Sequence, residues 1–445
     1  MRAFVLAAVA LLSLPAYAAD LLEIFRQAQG VDPSYASARA AWAAAQERLP
    51  QGRAGLLPVV SLSASAQQNH RVTTVEDGQA PRSTLDFGST ALTLSVTQPL
   101  YRRQNIVLYE QARSQVTQAD AQLDVAAQDL IMRVAQAYFD VLLAQDNVSF
   151  AEAQKRAIDQ QLQHARRTYE IGTAPITDVH EAQARYDITN SQELAARNEL
   201  ELRRRALEQL IERTAPRLAP LGARFQPRPA EPATVDPWIA LARHNNAQVR
   251  VAHAALEVAS QEIDRNRSAH YPSFDAFATA SHSGGTPVTT LSTVRSDTRS
   301  AAIGVQLAVP IYQGGALNSR VREAIANQER ARHDLRNAQR TAEFAARQSF
   351  LGIAHGISQV HALEAALAST ESQLTSTRRG REVGVRTQLD VLNAQQQLFS
   401  SRRDLAQAKY NYVLSLLRLE AAIGELTEDD LAAINQWLDR SGTAR

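Results

Sequence analysis

The sequence predicts a mainly α-helical protein with a transmembrane β-barrel. Two tandem helix–strand–strand–helix copies in each chain contribute four strands to a barrel that several chains share. Three observations carry this prediction: an N-terminal export signal, a set of landmarks that recurs about 212 residues later, and four alternating apolar–polar stretches together with a long segment, Arg102 to about Tyr169, free of Pro and Gly.

Composition sets the outer bounds. Ala, Gln, Arg, Glu and Leu recur throughout the 445 residues while aromatic residues make up only 6%, a usage that suits long helices. Lys and Arg number 47 against 46 Asp and Glu, so the net charge of +1 supplies no broad attraction to nucleic acid, and no nucleic-acid partner is expected. Cysteine is absent, which excludes disulfides, thiolate nucleophiles, cysteine-ligated metals and a lipidated N-terminal cysteine.

Residues 1–18 read as a cleavable secretory signal: Arg2, an apolar stretch from Ala3 to Leu14, the helix breaker Pro15, and the small-x-small site Ala16-Tyr17-Ala18. The mature chain then begins at Ala19. Beyond the signal no stretch approaches the roughly 20 apolar residues that a spanning helix needs, so a membrane part must be built from strands.

The repeat is read from punctuation. Leu57-Pro58 recurs as Tyr271-Pro272, Gln98-Pro99-Leu100-Tyr101 as Val309-Pro310-Ile311-Tyr312, and Glu170-Ile171-Gly172 as Glu382-Val383-Gly384. A first copy is expected over 19–214 and a second over 238–425. A Pro-rich stretch, 215–237, reads as an extended linker between them, and 426–445 forms a C-terminal segment.

Strands are expected at about 59–69, 89–99, 273–283 and 300–311. Val60, Leu62, Ala64 and Ala66 alternate with Ser61, Ser63 and Ser65, and Leu92, Leu94 and Val96 with Thr93, Ser95 and Thr97. Ile303, Val305, Leu307 and Val309 repeat the pattern, while Phe277 falls on the polar face of a weaker match. The segments Gln67 to Gly88 and His282 to Ser300 read as long polar loops. Alternation alone also fits a soluble half-buried sheet; the export signal turns the reading toward the membrane. Four strands cannot close a barrel, since about eight is the smallest number known, and an open edge in lipid leaves backbone groups unpaired. Chains must therefore pool strands, two giving eight and three giving twelve.

Long helices are expected at about 102–170, 176–213, 316–381 and 388–422, the first a rod of roughly 100 Å at 1.5 Å per residue. Val391, Leu398, Leu405, Tyr412 and Leu419 recur every seven residues beside a small-residue stripe of Ala394, Ser401, Ala408 and Ser415, as in a coiled-coil seam or a bundle core. The first copy keeps this partly, as Val179, Tyr186, Leu200 and Leu207, interrupted by Glu193.

Catalytic signatures are missing: there is no HExxH, P-loop, dinucleotide fingerprint or nucleophile elbow, so neither an enzyme nor a cofactor is expected. His355 and His361 stand six apart on a helix and read as solvated or packed side chains, and Arg203-Arg204-Arg205 as a solvated face.

The functional signal lies in the turns Ile171-Gly172-Thr173-Ala174-Pro175-Ile176-Thr177-Asp178-Val179 and Val383-Gly384-Val385-Arg386-Thr387-Gln388-Leu389-Asp390-Val391. With the duplicated plan and the C-terminal Ala408-Lys409-Tyr410-Asn411-Tyr412, they closely resemble the TolC family of outer-membrane channel proteins over nearly the whole mature chain. The resemblance implies a homotrimer with a twelve-stranded barrel in outer-membrane lipid and a periplasmic helical tunnel, acting as a passive exit duct for proteins or small molecules. Its partners would be a periplasmic adaptor, docking at the turns of Gly172, Thr173, Gly384 and Val385, and an inner-membrane ABC or proton-driven transporter. Family members serve type I protein secretion, drug efflux or both.

By the same resemblance Arg386 falls at a gate arginine and Asp178 at its carboxylate partner. Asp390 matches the outer of two aspartate rings at the entrance; the inner position is Asn393, which makes the constriction less negative. Arg381 replaces a tyrosine of the gate network. Helix capping is an equal reading for Asp178 and Asp390, both near a helix start. A soluble periplasmic coiled-coil adaptor is the alternative function, and a periplasmic helical enzyme a third.

Overall fold

The computed structural model describes residues 18–74, 83–222, 224–285, 288–289, 292–293 and 296–439. The expected signal, apart from Ala18, lies outside them. In chain order the elements are α1 (Leu21–Val31), α2 (Pro33–Gln46), α3 (Arg48–Ala54), β1 (Val59–Thr73), β2 (Ser83–Tyr101), α4 (Arg103–Glu170), α5 (Ile176–Ile211), α6 (Val235–Asn245), α7 (Ala247–Ser268), β3 (Ser273–Gly285), β4 (Val288–Thr289), β5 (Ser292–Thr293), β6 (Ser296–Ala308), α8 (Ala316–Glu382), α9 (Gln388–Ile423) and α10 (Glu428–Asn435). Among the described residues no helix is long and apolar enough to cross a membrane. Two compact units form, one from Ala41–Asp120 with Val251–Arg336, the other from the described parts of Met1–Ala40, Ala121–Arg250 and Asn337–Arg445.

The first of these units holds an antiparallel sheet in the order β1-β2-β3-β6, beside the small β4-β5 pair. Register places Leu62 opposite Leu94, Leu92 opposite His282 and Ala278 opposite Ile303, so the alternating apolar rows of the four strands share one face. That face is uncovered: Val60, Leu62, Leu92, Leu94, Ile303, Val305 and Leu307 are all exposed. The opposite face carries Ser61, Ser63, Ser95 and Thr97. Phe277, the misfit of the alternation, lies over Gly304, where an added Cβ would sit 2.9 Å from the ring; the aromatic covers a position without a side chain.

The strands run further than the alternation predicts. β1 and β2 extend through much of the segment read as a polar loop between Gln67 and Gly88, and β3, β6 and the β4-β5 pair occupy described parts of the one between His282 and Ser300. Polar cross-strand pairs sustain the ladder where apolar ones stop. His70 Nδ1 lies 2.5 Å from Asp86 Oδ1, Asn69 Nδ2 donates to Ser89 Oγ at 2.9 Å, Arg71 stacks over Phe87, and His282 Nδ1 lies 3.2 Å from Asp297 Oδ1. Conversely β6 stops at Ala308, short of the predicted 311, because Pro310 has no N–H to give to a ladder. At the base of the sheet, Arg102 grips buried Asp275 through Nε at 2.8 Å and Nη2 at 2.6 Å.

In the second unit the heptad seam of α9 is filled. Val391, Leu398, Leu405, Tyr412 and Leu419 are buried, as are Ala394, Ser401 and Ala408. Val391, Ala394 and Leu398 pack on Leu374 and Leu367 of α8, and Leu405 and Ala408 on Val360, Leu363 and Leu367, each large apolar side chain contributing about 1.5–3 kcal/mol. Gly352 and Gly356 of α8 permit the approach: a Cβ at Gly356 would stand 3.3 Å from Tyr412 Cβ. In the first copy α4 and α5 pair through Leu162, Ala165 and Ala182, with Val179 and Tyr186 against them. Glu193, which interrupts this heptad, is buried 2.8 Å from Lys155 Nζ and 2.6 Å from Arg197 Nη2, so the break in the pattern is an ion-paired core position. His355, His361 and the Arg203–Arg205 run are exposed.

The Pro-rich stretch makes contacts at Arg217, Ala219, Pro220, Gly222, Phe225 and Arg228. Ala19 N donates to Arg217 O and Ala219 N to Ala19 O, Gly222 N to Trp437 O, and Asp439 N to Pro220 O, at 2.8–3.0 Å. The Tyr412 hydroxyl accepts from Arg228 N at 2.8 Å and donates to Arg228 O at 2.7 Å, with Phe225 packed edge-on against both Tyr412 and Trp437. The end of the expected linker is already helical, since α6 begins at Val235, and the C-terminal segment contains α10 with Leu431 and Ile434 buried.

Glu420, near the end of α9, gives a pH prediction. Burial, and then the charges of Asp430 and Glu425, push its carboxyl up to about 7. The folded chain therefore holds this proton more tightly than the unfolded chain. Stability falls as pH rises from the ordinary carboxylate value toward 7, and the cost is fully present above that. Glu420→Gln is expected to raise the unfolding temperature at pH 8, by about 1–2 kcal/mol of stability after allowance for partial exposure, and to lose this gain toward pH 4.5. Thermal melts of both proteins across that range check it.

Candidate functional site: the helix-tip turns

The α4–α5 and α8–α9 turns are built alike. Each first helix ends on a glycine in the left-handed region, Gly172 at φ 77° and Gly384 at φ 78°, which an L side chain enters only at a cost. Gly172 N donates to Tyr169 O at 2.9 Å and Thr173 N to Thr168 O at 2.9 Å. Gly384 N donates to Arg381 O at 3.0 Å and Val385 N to Gly380 O at 2.9 Å. These bonds use the last helical carbonyls, so the tips are defined by backbone chemistry. Ile171, Val383 and Val385 project from them, each more than 70% exposed. Their exposure was not legible in the sequence, although the residues belong to the motif.

Behind the tips a groove of about 500 Å³ is lined by Thr173, Asp178, Arg381, Arg386, Thr387 and Gln388 among others. It brings Asp178 and Arg386 to one place, yet no ion pair within the chain joins them among the described residues. Arg381 Nη1 donates to Gln161 Oε1 at 3.0 Å, and Gln388 Nε2 donates to the same oxygen at 2.9 Å. Burial and the nearby charges of Arg381 and Arg167 hold His164 below the usual histidine range.

The capping alternative separates the two aspartates. Asp390 closes a capping box: Thr387 N donates to its Oδ2 at 2.9 Å and its own N donates to Thr387 Oγ1 at 3.1 Å. The backbone bond from Thr387, then its hydroxyl, hold the Asp390 carboxyl below the usual range, with Arg386 adding a smaller push. Asp178 has Pro175 at the N-cap, which offers no side-chain oxygen, and its carboxylate makes no cap bond. Asn393 is exposed one turn beyond Asp390, and its Oδ1 accepts from Arg185 Nη2 at 3.0 Å. Sequence reasoning missed Arg185 and Gln161; both act across helix pairs more than 200 residues apart in the chain. Among the described residues no group of three or more His, Asp or Glu side chains is placed to hold a metal ion.

An exposed apolar face on a four-stranded sheet whose outer strands β1 and β6 pair with no further strand among the described residues, in a chain that also carries paired long helices, fits an outer-membrane channel subunit. The profile of the outer membrane efflux protein family matches residues 24–212 and again 238–425, and the chain belongs to that family. It is 34% identical over 435 residues to the outer membrane protein TolC of Vibrio cholerae, covering 98% of this chain and 97% of that one. To the alkaline protease secretion protein AprF of Pseudomonas aeruginosa it is 33% identical over 427 residues, covering 94% and 87%. Among solved structures, the outer membrane protein VceC of Vibrio cholerae shares the fold at a TM-score of 0.76 and 20% identity, over 91% of this chain and 96% of that one. The chain is an outer-membrane exit channel with a large periplasmic part. The soluble-adaptor reading falls with this family match over nearly the whole length.

Proposed function

We propose that three copies close a twelve-stranded barrel and conduct exported proteins and small molecules passively from an inner-membrane transporter and its periplasmic adaptor to the outside. The observation that carries the assembly is the open sheet. Among the described residues β1 and β6 each have a free edge, and with four antiparallel strands per chain, β6 of one copy meets β1 of the next in antiparallel register all round. The apolar face then meets lipid, and the Ser- and Thr-rich face lines the lumen. Protein cargo by the type I route is supported by the secretion named for the AprF relative. The exposed Ile171, Val383 and Val385 beside Gly172, Thr173 and Gly384 suit the turns to adaptor docking.

Asp178 and Arg386 act in this reading as the gate, their charge-assisted contact made between neighbouring copies, with Arg381 bracing the turn through Gln161. One exposed contact is worth about 0–1 kcal/mol, so a ring of them is needed to hold the tips together. Asp178→Ala combined with Arg386→Ala is expected to raise single-channel conductance several-fold in planar bilayers. Unchanged conductance would remove the gate assignment.

A further inference from the structure

We propose that Arg185 sets the ion preference of the entrance: it holds a fixed positive charge beside Asn393 that offsets Asp390, so the duct selects weakly between cations and anions and resists block by divalent cations. This rests on the entrance reading, in which Asp390 and Asn393, three residues apart on one face of α9, line the constriction.

Arg185 reaches from α5 to α9 with both terminal nitrogens. Nη1 donates to Gln396 Oε1 and Nη2 to Asn393 Oδ1, each at 3.0 Å. Both acceptors are neutral amides, so nothing in the contact cancels the guanidinium charge. Carboxylates nearby on α5 are not its partners among the described residues. Glu181 stands one turn before it without an ion pair, and Asp187 accepts instead from Gln183 Nε2 at 3.0 Å. On α9 the Asp390 carboxylate is engaged by Thr387. Arg185 therefore adds a guanidinium that no carboxylate neutralises by an ion pair among the described residues, one helix away from the Asp390 carboxylate.

The same contacts take up part of the oxygen ligands a divalent cation would use. Such an ion needs several free oxygens with concentrated negative charge. Asp390 Oδ2 already accepts from Thr387 N, and Asn393 Oδ1 is occupied by Arg185. Around a symmetric ring, three guanidinium groups then repel the ion that three carboxylates would attract.

Reversal potentials in a KCl gradient and block by MgCl₂, both in planar bilayers with the full channel, test this. Arg185→Gln is expected to move the reversal potential toward cation preference and to lower the blocking Mg²⁺ concentration about 3- to 10-fold, as follows from removing one unit charge per chain beside Asn393. Arg185→Lys keeps the charge and is expected to behave as the parent; behaviour like Arg185→Gln would overturn the charge role. Asp390→Asn is expected to shift both readings the opposite way. If Arg185→Gln changes neither reading while Asp390→Asn changes both, the assignment to Arg185 is wrong and the entrance reading stands. If neither variant changes anything, the entrance reading fails and the proposal fails with it.

Discussion

Ile303→Arg is expected to abolish assembly in the outer membrane. Ile303 is 88% exposed on β6, in the apolar row with Ala301, Val305 and Leu307 and opposite Ala278 of β3. An arginine near the bilayer midplane of a barrel costs about 2–4 kcal/mol per chain, a penalty that every copy of a symmetric assembly incurs. Thr279→Arg is the control on the other face, one residue along β3 from Ala278; in a water-filled lumen it is expected to assemble normally. Membrane fractionation and the yield of folded oligomer check the pair. Assembly of Ile303→Arg with failure of Thr279→Arg would mean that the two faces are assigned the wrong way round.

Gly424→Ala is expected to destabilise the chain by roughly 3 kcal/mol or more, through two effects at one position. The residue ends α9 at φ 81°, in the left-handed region, and an added Cβ would lie 2.3 Å from Asn245 O and 2.8 Å from its carbonyl carbon. Backbone, unlike the end of a flexible side chain, cannot swing aside. Asn246 holds that segment in place through an Nδ2 bond to Ala422 O at 2.9 Å. Gly384 has nearly the same φ with nothing within 4 Å of the added atom, so Gly384→Ala is expected to cost only about 1 kcal/mol. Thermal unfolding of the two variants compares them, and an equal loss would show that the contact at Asn245 has little weight.

What the sequence made legible follows from where local rules decide. The four long helices end within about two residues of expectation, because α4, α5 and α9 are free of Pro and Gly and the left-handed Gly172 and Gly384 close the two turns. The strands were under-read at their ends, since a ladder closed by His70–Asp86 and Asn69–Ser89 needs no apolar alternation. The Pro-rich stretch looked extended because proline forbids regular structure; its docking depends on Tyr412 and Trp437, roughly 200 residues away. Glu193 read as a break in a heptad because its partner Lys155 lies on another helix. At the tips the turn motif located Asp178, Arg386 and Asp390 by position. Their differing chemistry came from the neighbours Pro175 and Thr387, and Arg185 carried no local signal.

Native mass determination of the detergent-extracted outer-membrane protein, followed by planar-bilayer recording of the same sample, tests the pooled-strand channel most directly. Three copies with discrete, small conductance steps are the predicted result. A single chain that stays in solution without detergent and passes no current would contradict it.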